Sequence, residues 1–177
     1  VGQLAAQFLA LSGVRGAALD YGQGRLDLAK ELGSEKIINL ADADAVSQAM
    51  ALTSSRGCDG ILIAAAAATS EPFEMAAEIA RDRAKVCLVG LSGTAFPYGA
   101  FMKKELSIIV SRSYGPGRYD EDYEDRGIKY PEGFIRWTET ENLMEGVRLM
   151  SAGLARRLNV AGLTTHTFEI ENADSNN

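Results

Sequence analysis

Asp20 closes the apolar run 16–19 and stands 18 positions after Gly2. A carboxylate roughly 20 residues beyond a helix-opening glycine can accept hydrogen bonds from both hydroxyls of an adenosine ribose, and it repels a 2′-phosphate. Gly2 fits the last glycine of a turn whose exposed N–H groups and helix dipole hold a pyrophosphate. Each residue also has a plainer role, Gly2 as an ordinary helix start and Asp20 as a solvated turn aspartate. Arg25 lies near enough in sequence to reach an adenine or a phosphate of the same ligand, although arginines are common on helix surfaces. Ala64 and Ala65 open a run of five alanines. Small side chains there admit a flat ligand close to the backbone, and alanine also simply favours a helix start. Gly90-Leu91-Ser92-Gly93 follows another apolar stretch and can approach a nicotinamide or its ribose. Ser111 follows the next such stretch.

Other chemistries find little support. His166 is the single histidine, so a multi-histidine metal site is excluded. Residues 90–93 do not complete G-x-S-x-G, and the zinc-protease and P-loop motifs are absent. No tyrosine is followed four positions later by lysine. Cys58 and Cys87 are 29 positions apart and read as small core residues. A net charge of −6 and a pI near 4.9 speak against a nucleic-acid surface. The longest apolar run, 61–68, is far short of a membrane span. No secretory signal is visible, so a cytoplasmic location is expected.

These residues need elements to position them. The 177-residue chain has room for one domain, and 46% apolar with 24% charged residues is globular composition. Leu4, Phe8 and Leu11 recur at helical spacing over 3–12, with Gly13 as the stop. A strand over 16–20 follows, then a helix over 23–32 stopped by Gly33, a strand over 36–39, and a helix capped by Asp42 or Asp44. Strands are expected over 60–64, 85–89 and 106–110, with a helix capped near Ser70 between the first two. Thr138 and Glu141 fit a capping box for a helix that ends near Gly153. A last strand is expected over 163–170. This alternation predicts an α/β fold, an open, doubly wound parallel sheet that binds its ligand beyond the carboxyl ends of the strands. Its buried set should hold Leu4, Phe8, Leu11, Leu26, Ile61, Ile63, Val86, Leu88, Ile108 and Val110.

The segment 111–137, SRSYGPGRYDEDYEDRGIKYPEGFIRW, holds four of the six tyrosines and the only tryptophan. Its length and its glycines and prolines suit a functional or interfacial loop. Tyr114, Tyr119, Tyr130 and Trp137 are expected to pack against protein.

Val1-Gly2-Gln3-Leu4-Ala5-Ala6-Gln7, Ala18-Leu19-Asp20 and 25–33 (RLDLAKELG) resemble the cofactor domain of medium-chain, zinc-type alcohol dehydrogenases. Residues 57–61, 103–109 and 163–168 fit the same pattern, so the likeness spans the chain. The stretch 111–119 (SRSYGPGRY), with Tyr130-Pro131 and Arg136-Trp137-Thr138, is similar to bi-domain oxidoreductases fused to a Gfo/Idh/MocA-type dehydrogenase. The resemblance implies a Rossmann-like sheet that lacks its first strand in this chain, whose expected place is between the strands ending at Asp20 and Ala64. It implies NAD as cofactor and hydride exchange with an alcohol or carbonyl, with a sugar or sugar nucleotide among the candidate substrates. It carries Gly2 to the last fingerprint glycine and Asp20 to the ribose acid, and it puts Gly90, Leu91, Ser92 and Ser111 on the nicotinamide side. It also implies that a small-molecule substrate is held mainly by a domain outside 1–177, and that a second copy or a fused dehydrogenase domain is the protein partner. The closing helix of the family is not matched after Ala173. Two other readings remain open, a nucleotide-binding module without chemistry and an S-adenosylmethionine-dependent methyltransferase. On its own the chain is expected to be inactive and weakly stable.

Overall fold

The structure is a computed structural model and describes residues 1–135, 137–151, 153 and 157–170. Helix α1 (Gly2–Leu11) leads into β1 (Ala17–Asp20), α2 (Gln23–Glu31), β2 (Lys36–Asn39), α3 (Ala45–Leu52) and β3 (Cys58–Ile63). Then come α4 (Glu71–Ile79), β4 (Ala80–Leu88), α5 (Tyr98–Lys103), β5 (Ser107–Val110), α6 (Glu121–Glu124), α7 (Glu139–Met150) and a 3₁₀ turn, Ala161–Leu163.

Local chemistry sets several boundaries. Gly13 and Gly33 sit at φ +73° and +116°, a left-handed region where glycine carries no Cβ penalty. Each closes its helix in the same way. Val14 and Ser34 N–H donate to the carbonyls of Leu9 and Ala29, and the glycines donate to Ala10 and Lys30. Asp44 and Ser70 occupy the N-cap positions of α3 and α4. The capping box of α7 forms, with the Glu141 carboxylate accepting from Thr138 N–H at 2.7 Å. At the far end of α4 the Lys104 ammonium donates to the carbonyls of Ala77, Glu78 and Ala80 at 2.6, 3.2 and 2.8 Å. It supplies charge and donors where the helix leaves carbonyls unpaired.

All strand pairings are parallel, in two sheets, β1-β2 and β3-β4-β5. Leu19 pairs with Ile38, Ile63 with Leu88, and Leu88 with Val110, which aligns the carboxyl ends within each sheet. No described strand joins β1 to β3; side-chain packing joins the sheets instead. Ile38, Ala45, Ala49 and Ile79 form a buried cluster with Leu19, Cys58 and Ile61 around it, so α3 and α4 tie both sheets together. A second cluster, Ile63, Phe73, Val86 and Phe101, lies where α4 and α5 meet the three-stranded sheet. Phe96 adds a ring 5.2 Å from Phe101.

The burial expectation needs correction. Leu26, Ile63 and Val86 are buried, whereas Leu4, Leu11, Ile61 and Leu88 are only half-buried. Phe8 and Ile108 are exposed, and Val110 is 72% exposed. The cause lies in the sheet. Helix α1 packs on α2 with no strand beneath its apolar stripe, and β5 is an edge strand whose four residues are all exposed. The expected strand over 163–170 is also absent. Residues 161–163 form the 3₁₀ turn and 164–169 are irregular. The alternating pattern there lies beside no described strand that pairs with it, and β-propensity expresses itself through such pairing. The chain returns to α1 through Gln7 instead. Its buried side-chain amide donates to Asn159 O at 3.1 Å and accepts from Asn159 N–H at 2.6 Å. Arg136 and residues 171–177, with the stretch after Ala173 where the family's closing helix is not matched, lie outside the described residues.

Candidate functional site

Asp20 ends β1 with its side chain partly accessible. Its Oδ1 accepts from Gly22 N–H at 2.8 Å and from Arg25 Nη2 at 2.7 Å, and Arg25 Nε lies 3.0 Å from both carboxylate oxygens. This hydrogen bonding, with Arg25 the largest cause, holds the Asp20 carboxyl below its ordinary range. Arg25 is mostly in solvent, so the pair is weakly held and open to exchange with a ligand.

The first turn of α1 touches α2 and the segment that follows β3. Gln3 Nε2 donates to Arg25 O at 2.8 Å. A Cβ added at Gly2 would sit 3.6 Å from Ala64 Cβ, ordinary contact distance. Gly2 therefore marks a place where a helix N-terminus, free of side-chain bulk, lies beside the end of β3. The ten-residue α1 has no acidic residue in its first turn, so its positive end is not offset from within. Gly2 thus neighbours Ala64, while Gln3 links the same turn to Arg25 and, through the Arg25 side chain, to Asp20.

Residues 64–67 and 90–93 are zipped to one another. Gly90 N–H donates to Ile63 O at 2.9 Å, Leu91 N–H to Ala65 O at 3.1 Å and Ala67 N–H to Leu91 O at 2.8 Å. A Cβ at Gly90 would lie 2.1 Å from Ala65 O, so glycine is required there by the fold. Leu91 is 81% exposed, an apolar side chain held out on this rim. Ser92 is half-buried and its hydroxyl donates to Gly93 O. Ser111 is exposed just beyond β5, and its N–H donates to Leu88 O at 2.9 Å.

Neither a metal constellation nor an acid–base pair with matched geometry accompanies this rim. Among the described residues no three His, Cys, Asp or Glu side chains could hold a metal ion, so a zinc ion does not fit here. His166 is exposed, stacks on Phe168 and bonds Thr165. Burial pushes the Cys58 thiol up, away from nucleophilic use.

The loop after β5 is held in place by several contacts. Asn142 Nδ2 donates to Tyr114 O at 2.8 Å, and Glu139 N–H donates to Pro116 O at 2.8 Å. Tyr130 stacks on Tyr123 at 5.5 Å and its hydroxyl donates to Asp120. Trp137 is 38% exposed, and Tyr114 and Tyr119 leave more than half their surface in solvent. The loop aromatics are therefore only partly covered. Arginines Arg112 and Arg118 lie against the tyrosines, an arrangement not read from the sequence.

Comparison with known proteins gives this architecture its class. A profile of the family described as zinc-binding dehydrogenase matches residues 1–126. The chain belongs to that family, and its sheet is Rossmann-like. Among solved structures it resembles galactitol-1-phosphate dehydrogenase from Escherichia coli, at 29% identity and a TM-score of 0.54, over 63% of this chain and 33% of that one. The alcohol dehydrogenase of the hyperthermophilic archaeon Aeropyrum pernix matches at 26% identity and 0.54, over 62% and 32%. An NAD-dependent alcohol dehydrogenase matches at 25% and 0.53, over 62% and 32%. The chain spans about a third of the length of these structures. The family is one of alcohol-dehydrogenase-like oxidoreductases, and the matched stretch takes in all five strands and the rim from Gly2 to Ser111.

Proposed function

We propose that the chain is the cofactor-binding half of an NAD(H)-dependent oxidoreductase acting on an alcohol or carbonyl. The observation that carries this reading is the placement of the Asp20 carboxylate at the end of β1, with the bare helix start at Gly2 tied to it through Gln3 and Arg25. A carboxylate suits ribose hydroxyls and a side-chain-free helix N-terminus suits a pyrophosphate. Gly2, Asp20, Arg25, Ala64 and Ala65 would hold the adenosine and phosphates. Gly90, Leu91, Ser92 and Ser111 would line the nicotinamide side. The bound cofactor supplies the hydride chemistry, and these residues bind and orient it.

A substrate held mainly by residues outside 1–177 fits the lack of a matched acid–base pair on the rim. The likeness to galactitol-1-phosphate dehydrogenase supports a sugar-like alcohol. The stretch 111–119 supports a fused second dehydrogenase domain, and the exposed edge at β5 supports a second copy as the alternative partner. No described helix is long and apolar enough to cross a membrane, which agrees with a cytoplasmic setting. The missing acid–base pair also favours a second reading, a binding module without chemistry. Titration of the intact protein with NADH, NADPH and S-adenosylmethionine tests the class. Saturable NADH binding is expected. Binding of S-adenosylmethionine alone would overturn the reading, and NADH binding without turnover over a panel of alcohols and carbonyls would favour the module.

A further inference from the structure

We propose that the cleft in the loop after β5 is a separate binding site for an oxyanion, a carboxylate or phosphate carried by the substrate. The site is a cavity of about 680 Å³ bounded by Arg112, Arg118, Tyr119, Glu121 and Tyr130. Its two arginines stack with Tyr119, which also lines it, and Arg118 also with Tyr114 just outside it. The Arg118 guanidinium carbon lies 4.5 Å from the Tyr119 ring centre and 5.4 Å from that of Tyr114, and Arg112 covers Tyr119 at 4.9 Å. Such stacking fixes the plane of a guanidinium, which then presents its fork of donors in a set direction.

The two cations differ in what they lack. Arg118 is paired with Glu124 at 2.5 Å, yet its Nε–H is shut off from solvent and meets no acceptor among the described residues. Arg112 donates to Arg118 O at 2.5 Å, and no described carboxylate forms an ion pair with it. A guanidinium stacked on a tyrosine, with donors to spare and no ion-pair partner among the described residues, is suited to a planar or tetrahedral oxyanion.

The backbone is bent to hold this arrangement. Tyr114 and Tyr119 both adopt left-handed φ, +67° and +65°, with Gly115 and Gly117 at +105° around them. Left-handed tyrosines cost energy that surrounding contacts must offset, and such residues gather at ligand clamps. The contacts are present. Asn142 Nδ2 donates to Tyr114 O at 2.8 Å, and Tyr119 is covered by Arg112 and Arg118. Two acids also line the cleft. Asp120 is engaged by the Tyr130 hydroxyl and by Asp122 N–H, whereas Glu121 faces the cavity as a competing negative charge.

Arg112 directly follows Ser111 at the carboxyl end of β5, the edge on which the oxidoreductase reading places the nicotinamide. The identity of the ligand as substrate rests on that reading, while its negative charge rests on the cleft alone.

The test is calorimetric titration of the intact protein, saturated with NADH, with inorganic phosphate. Wild type should bind phosphate saturably. Arg112→Gln should weaken it about tenfold or more, since a charge-assisted pair is lost. Glu121→Gln should tighten it severalfold, a gain that a damaged fold would not produce. Neither variant should change NADH affinity, so failure here is distinguishable from failure of the cofactor reading. Absence of saturable phosphate binding, or equal affinity in wild type and both variants, would overturn the proposal. If phosphate binds as described, activity with anionic and neutral alcohols separates a substrate group from a free ion. A KM effect of Arg112→Gln confined to anionic substrates supports the substrate assignment, and equal effects on both overturn it.

Discussion

Replacing Asp20 by serine in the intact protein is expected to shift the ratio of NADPH to NADH affinity by about two orders of magnitude toward NADPH. Charge-assisted hydrogen bonds contribute about 1.5–3 kcal/mol, and tenfold in Kd corresponds to about 1.4 kcal/mol. The substitution acts twice. It removes acceptors for the ribose hydroxyls, so NADH weakens. It also removes the charge that repels a 2′-phosphate and releases the Arg25 guanidinium now held at 2.7 Å from Asp20, so NADPH strengthens. Because Arg25 and Gly22 hold the Asp20 carboxyl below its ordinary range, the group stays charged as pH falls into that range. The preference of the wild type for NADH should therefore persist there and fade only below it. Equal NADH and NADPH affinities in the wild type, or an unchanged ratio in Asp20→Ser, would show that Asp20 is not the ribose acid.

The polypeptide 1–177 on its own is expected to unfold with a broad, weakly cooperative transition and to show no NAD-linked turnover. The reason is the break in the sheet. β1 and β3 each have one side without a strand partner among the described residues, and the apolar stripe of α1 is only partly covered. In the usual order of such sheets a strand lies between these two. Without it Phe8 is 40% exposed and Leu62, in β3, is 41% exposed. Fully burying a large apolar side chain contributes about 1.5–3 kcal/mol, of which these two forgo a part, and a domain's whole stability is about 5–15 kcal/mol. Several partial losses add to the unpaired strand edges. Adding a strand that pairs with both free edges should restore a sharp transition. A sharp two-state melt of monomeric 1–177, with measurable hydride transfer, would contradict both parts of the expectation.

Much of this architecture was legible from local chemistry. Gly13 and Gly33 end their helices as their positions demand, Thr138 and Glu141 form their capping box, and Lys36–Asn39 is a strand with the bounds its sequence suggests. These features depend on a few neighbouring residues. Burial was less legible because it depends on what lies opposite. Helical spacing at Leu4, Phe8 and Leu11 marks an apolar face, and only the sheet determines whether that face is covered. Helix α5 was hidden by the glycine and proline around Tyr98–Lys103, and it forms because Phe101 packs with Phe73 and Phe96. The Lys104 clamp and the Gln7–Asn159 pairing join residues that are distant in sequence, and no local pattern announces them.

The candidate site divides along the same line. Asp20 and Gly2 were singled out from their spacing, and the fold links their neighbourhoods through Gln3 and Arg25. Gly90 was visible as a strand-end glycine, but its conformational role comes from the approach of Ala65 O, which the sequence does not show. The Arg112–Tyr119–Arg118 stack follows from left-handed tyrosines, a conformation that aromatic residues do not signal.

A crystal structure of the intact protein with NADH tests the central claim most directly. The account predicts the adenosine ribose hydroxyls within hydrogen-bond distance of the Asp20 carboxylate, Arg25 displaced from its present contact, and the pyrophosphate at the helix start marked by Gly2. NADH bound elsewhere, or bound with Asp20 still closed on Arg25 and the ribose facing other residues, would contradict it.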